Sequence, residues 1–144
     1  MSELFKKLNL KDQNEIVVVN APATFGKELA KLGSVKVIRD PEKAKTVEFV
    51  IAFATTQAEL DKLSKSLTGK AKGDAILWIA YPKKSSKNYK CEFNRDSGWT
   101  VLGAAGFEPV RMVAIDDDWS ALRFRRAEYI KSMTRDPASR ISGR

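Results

Sequence analysis

Phe107-Glu108-Pro109-Val110-Arg111-Met112-Val113-Ala114-Ile115-Asp116-Asp117-Asp118-Trp119-Ser120-Ala121-Leu122-Arg123-Phe124 is the stretch that decides the fold. It carries two strand-like runs, 107–115 and 119–124, joined by three consecutive aspartates. A parallel crossover needs a dozen residues or more, so this short link makes the pair antiparallel. Upstream of it, hydrophobic runs at 16–20, 35–38, 47–54 and 75–81 alternate with helix-like segments. That order predicts an α/β fold in three layers: a doubly wound, mostly parallel sheet ending in an antiparallel hairpin.

Ile16-Val17-Val18-Val19 is an unbroken β-branched run, the pattern of a central strand buried on both faces. After Asn20-Ala21-Pro22-Ala23, Thr24 is placed to cap a helix whose Phe25, Leu29 and Leu32 share a face and which Gly33 ends. Residues 35–38 form a short strand, and Asp40-Pro41-Glu42 starts a helix of only a turn or so. Residues 47–53 read as another buried strand. Thr55-Thr56 then cap a helix with Leu60, Leu63 and Leu67 on one face, stopped by Thr68-Gly69. The run 75–80 is the fourth parallel strand, closed at Tyr81-Pro82 because proline has no amide hydrogen for the ladder. Ser97 is expected to cap a further helix carrying Val101, Leu102 and Ala105, with Gly106 as its left-handed terminator.

A chain of 144 residues suits one domain, assigned here to 1–124, with 125–144 as a basic tail, helical or disordered. Cys91 is the only cysteine and cannot form an internal bridge, and no apolar run approaches the length of a membrane span. A cytoplasmic protein with no membrane partner is expected. The opening Ser2-Glu3-Leu4-Phe5 reads as a short amphipathic helix capped by Ser2, not an export signal. The absence of histidine removes Ser-His-Asp and Cys-His catalysis, mixed Cys/His zinc sites and a histidine pH switch. The net charge of +8 is concentrated toward the end, where seven basic residues from Arg123 onward face only Glu128 and Asp136. A second cluster, Lys83, Lys84, Lys87 and Lys90, follows the fourth parallel strand.

Two segments, Trp78-Ile79-Ala80-Tyr81-Pro82-Lys83-Lys84 and Ala114-Ile115-Asp116-Asp117-Asp118-Trp119-Ser120-Ala121-Leu122-Arg123, carry a resemblance. They are similar to the DUF3052 family of small bacterial proteins, which has a Trp-Pro-Lys-Lys-like segment and an Asp-x-x-Trp-Ser-like hairpin. Tyr81 stands here where tryptophan is common. The likeness covers about 4–124 and implies a methyltransferase-like Rossmann domain. It brings no catalytic residues with it.

The expected binding positions follow from the topology, because open α/β sheets bind ligands at the carboxyl ends of their strands. These are Asn20 and Thr24 after the first strand, Asp40 after the second, Thr55 and Thr56 after the third, and Tyr81, Lys83 and Lys84 after the fourth. The turn 20–26 holds a single late glycine, so it lacks the glycine-rich approach that S-adenosylmethionine enzymes use. Asp40 sits at the spacing of a ribose-binding acid but reads first as a helix cap before Pro41. Asp116-Asp117-Asp118 reads as turn chemistry, since consecutive residues of an extended hairpin point to alternate faces. Trp78, Trp99 and Trp119 read as core. No cofactor, metal or catalytic residue is assigned. The first functional reading is a non-catalytic binding or interaction domain for a small anionic ligand or a protein. The alternatives are a nucleic-acid-associated protein using the lysine loop and the basic tail, and an atypical S-adenosylmethionine-dependent methyltransferase.

Overall fold

Burial on both faces builds the centre of the sheet. In the computed structural model, which describes residues 2–94 and 97–130, strands β1 (Glu15–Val19) and β3 (Val47–Phe53) are buried everywhere except Glu15 and Glu48. They pair in parallel, with Val17 opposite Val50 and Val19 opposite Ala52. β2 (Lys36–Ile38) flanks β1, and β4 (Ala71–Pro82) flanks β3, both also parallel. β5 (Phe107–Ala114) and β6 (Trp119–Arg126) form the antiparallel hairpin. The sheet order is β2-β1-β3-β4-β6-β5, so the later hairpin strand lies inside the sheet between β4 and β5.

Alternation along the strands makes two cores. Val17, Val19, Val50, Ala52, Leu77 and Ile79 join α3 (Gln57–Lys70) and α4 (Thr100–Ala104) on one face. Ile16, Val18, Phe49, Ile51 and Trp78 join α1 (Glu3–Lys7) and α2 (Gly26–Ala30) on the other. Ser2 caps α1 as expected, its Oγ accepting from the Phe5 amide at 3.1 Å. Trp78 is fully buried, and its indole donates to the Leu8 carbonyl at 2.8 Å, which ties the amino-terminal segment to the sheet. Replacing it with alanine would cost about 3–5 kcal/mol. No helix among the described residues is long and apolar enough to cross a membrane.

Several local expectations are corrected. Thr24 caps nothing: it lies within a 3-10 turn (Ala23–Phe25) that leads into α2, whose first turn has no side-chain cap. The helix expected to stop at Thr68-Gly69 runs to Lys70, and β4 starts at Ala71, four residues earlier than predicted. Ser97 does not cap α4; Trp99 holds that position, and the Ser97 hydroxyl bonds to Asn94 Oδ1. Arg125 and Arg126, counted with the tail, belong to β6, followed by a 3-10 turn at Ala127–Tyr129. The rest of the predicted tail, 131–144, lies outside the described residues.

Candidate functional site

Because β1 to β4 run in the same direction, their carboxyl ends share one rim. Asn20, Asp40, Thr55 and Lys83 follow those ends, as the sequence led us to expect. The winding changes direction between β1 and β3, and a doubly wound sheet opens its ligand crevice at such a point.

Here Asn20, Thr55, Thr56 and Gln57 at that crevice are hydrogen-bonded within the chain itself. Asn20, in a left-handed conformation (φ 58°), spans it by donating from Nδ2 to the Phe53 carbonyl at 3.4 Å. The Thr55 amide, the Thr56 amide and the Thr55 hydroxyl all donate to Glu59 Oε1, at 3.1, 3.2 and 3.1 Å, while Thr56 Oγ1 accepts from the Glu59 amide. This capping box is what the sequence predicted for the start of α3. The Thr55 amide bond, foremost among these, holds the Glu59 carboxyl below the usual glutamate range. The next free amide of α3, Gln57, donates to Glu92 Oε1 at 2.9 Å. Two carboxylates of the chain thus sit where a helix amino terminus would attract a ligand's anion. Asp40 Oδ1 accepts from the Glu42 amide at 3.0 Å and caps the turn Pro41–Lys43. On the α1/α2 side, Phe25 packs edge-on against Phe53, and Phe53 against Trp119, with ring centroids 5.0 and 5.2 Å apart.

An open concavity lies farther along the rim, at the end of β4. A cleft of about 810 Å³ is lined by Tyr81, Lys83 and Lys84 of the predicted set. Asn20, Thr24, Asp40, Thr55 and Thr56 do not line it. Its remaining wall comes from the loop after β4, chiefly Tyr89, Lys90, Cys91 and Phe93, with Met112 of β5 and Ser120 of β6. Tyr81 and Phe93 lie 6.0 Å apart between centroids, and Phe93 packs edge-on against Trp99 at 5.3 Å.

The loop is held at both ends. The Lys83 amide donates to the Asp118 carbonyl at 2.7 Å, and Ser86 Oγ and Asn88 Nδ2 donate to the Asp118 carboxylate. Tyr89 rests on Trp119, centroids 4.9 Å apart. Farther on, the Glu92 amide donates to the Thr55 carbonyl at 2.9 Å. Asp116, the first of the three aspartates, closes the hairpin turn by accepting the Asp118 and Trp119 amides, both at 2.8 Å. The sequence marked Tyr81 and the lysines but not Tyr89 and Phe93. Tyr89 and Phe93, set in an otherwise polar loop, were the available signal.

The cleft therefore has a mainly apolar floor and an ammonium-bearing rim, chemistry suited to oxyanions on an apolar body. Burial holds the Cys91 thiol above its ordinary pKa, so it stands protonated and is a weak nucleophile.

The chain matches no protein-family model and no curated protein. Among solved structures it is similar to an S-adenosylmethionine-dependent methyltransferase from Aquifex aeolicus, at TM-score 0.59 and 18% identity, over 87% of this chain and 88% of that one. The fold is that of the S-adenosylmethionine methyltransferases. The PH0226 protein from Pyrococcus horikoshii OT3 is also similar, at TM-score 0.55 and 13% identity, over 86% and 87% of the two chains. At these identities the likeness describes the backbone path alone.

Proposed function

We propose that this chain is a non-catalytic binding domain of the cytoplasm that holds a small anionic ligand with an apolar body in the cleft at the end of β4. The observation that carries the reading is the placement of Lys83 and Lys84 on the rim of a cleft floored by Tyr81 and Phe93. Supporting it, the Thr55, Thr56 and Gln57 amides at the β1–β3 crevice donate to Glu59 and Glu92, so the start of α3 offers those amides to the chain's own carboxylates and not to a nucleotide-type cofactor. Membership of the DUF3052 family belongs to the same proposal. The two motifs that suggest it meet beside the cleft, where the Lys83 amide bonds to the Asp118 carbonyl.

The test is a thermal-shift screen of aryl and acyl carboxylates and phosphates, run beside S-adenosylmethionine, on the chain and on Lys83→Ala/Lys84→Ala. Stabilisation by an anionic ligand that disappears in the double variant supports the proposal; a ligand at 100 times its Kd adds about 2.7 kcal/mol. Stabilisation by S-adenosylmethionine alone, unchanged in the double variant, would overturn it in favour of the methyltransferase reading.

A further inference from the structure

On the hairpin, side chains of opposite parity to the cleft face the α1/α2 side of the sheet. Near the turn these are Val113, Trp119 and Ala121, all buried. Farther along the same face the pairing sets Arg111 opposite Arg123 and Glu108 opposite Arg125. Two like charges directly opposed across strands repel. Among the described residues Arg111 and Arg123 make no ion pair or hydrogen bond to relieve it; Asp74 is held by Arg125 through Nε at 2.7 Å and a second nitrogen at 2.6 Å. Arg123 is half-buried, and its Nε is shut off from solvent without an acceptor. Such orphaned donors are rare in folded proteins and call for a partner.

We propose that Arg111 and Arg123 form a site for a phosphate group on this face of the hairpin, independent of the cleft and of the reading given for it. A guanidinium presents a planar fork of donors that matches the oxygens of a phosphate. Two forks on adjacent strands, one half-buried and one exposed at the sheet edge, supply donors from two directions to a single tetrahedral anion. The bound charge would turn the cross-strand repulsion into attraction. Burial first, then the charge of Arg125, lowers the pKa of Arg123 against the opposing charge of Asp74, with Arg111 adding a smaller push in the same direction as Arg125. An anion would reverse that balance. Neighbouring arginines usually serve solubility alone, but here one of the two is half-buried and faces a like charge across the strands.

The experiment uses the full chain carrying Lys83→Ala/Lys84→Ala, so that the cleft lysines do not contribute. The arginine Nε–Hε resonances are followed by NMR during titration with inorganic phosphate, with ionic strength held constant by sodium chloride. The expected result is a saturable shift of the Arg123 resonance, with at least a tenfold weaker Kd in Arg111→Ala. Arg111 is exposed, so that substitution leaves the fold intact. No saturable shift, or the same Kd in Arg111→Ala, would overturn the proposal. Competition then identifies where the phosphate comes from. Displacement by a short DNA duplex, with an affinity that falls steeply as salt rises, assigns it to a nucleic-acid backbone; tighter displacement by phenyl phosphate assigns it to a small ester.

Discussion

Replacing Asp118 by alanine should loosen the cleft wall without unfolding the protein. The Asp118 carboxylate accepts Ser86 Oγ at 2.8 Å and Asn88 Nδ2 at 3.2 Å. Ser86 Oγ in turn accepts the Tyr89 amide at 3.1 Å, so the carboxylate anchors a relay that ends on the residue stacked against Trp119. A hydrogen bond to a charged acceptor contributes about 1.5–3 kcal/mol when sheltered and less when exposed. Taking roughly 1.5 kcal/mol for the half-buried serine bond and 0.5 for the exposed asparagine bond gives about 2 kcal/mol. That loss falls on local opening of the loop. It corresponds to roughly 30-fold faster exchange of the Tyr89 amide. Amide exchange followed by NMR reads this directly, with the denaturation midpoint as the measure of global stability. The backbone turn survives, because the Asp118 and Trp119 amides bond to Asp116. Asp117→Ala, exposed beside it, is the control and should alter neither measurement. Unchanged Tyr89 exchange in Asp118→Ala would refute the anchoring argument, and equal acceleration in Asp117→Ala would show that the turn, and not the carboxylate, was responsible.

Glu59→Gln should cost about 1 kcal/mol at neutral pH through the weakened cap. Since the folded state lowers the Glu59 pKa, its carboxylate contributes stability above the ordinary glutamate range and loses it as pH falls through the lowered value. Urea titrations at pH 7 and in strong acid should show the gap between the two proteins closing, and an equal gap at both would contradict the assignment. Gly98→Ala should destabilise by about 2 kcal/mol or more, because left-handed strain adds to a clash. Gly98 has φ 100°, and a Cβ there would stand 2.7 Å from Phe93 Cβ and 2.8 Å from Gln57 Oε1. A denaturation midpoint within error of the parent would sink that argument. Cys91 should react with iodoacetamide at pH 7.5 more slowly than it does in the urea-unfolded chain, because burial raises its pKa. Equal rates in both states would contradict it.

The strands were legible where burial on both faces wrote a continuous apolar run, as in residues 49–53 of β3. They were illegible where a distant partner supplied the order. The first residues of β4, Ala71-Lys72-Gly73-Asp74, look like a loop, yet they are secured by Arg125 on Asp74 and by Arg126 on the Ala71 and Gly73 carbonyls, more than fifty positions away. Ser97 is a good cap by type, but Trp99 packs against Tyr81, Phe93 and Phe124 and fixes where α4 starts. Tyr81 and the lysines of the cleft were found because Pro82 ends a strand at the rim. Tyr89 and Phe93 were not, since the loop that carries them folds back onto Thr55 and Asp118 through contacts that leave no local pattern.

The place of β6 inside the sheet has a consequence during synthesis. Until Arg126 has left the ribosome, β5 has no neighbour to join and the outer side of β4 remains a bare row of amides and carbonyls. A nascent chain arrested anywhere between Pro82 and Trp119 would present that row to other chains, and such edges template aggregation. The hairpin therefore acts as the clasp of the domain, and ribosomes stalled within this window should yield a product that depends on chaperones to stay dispersed.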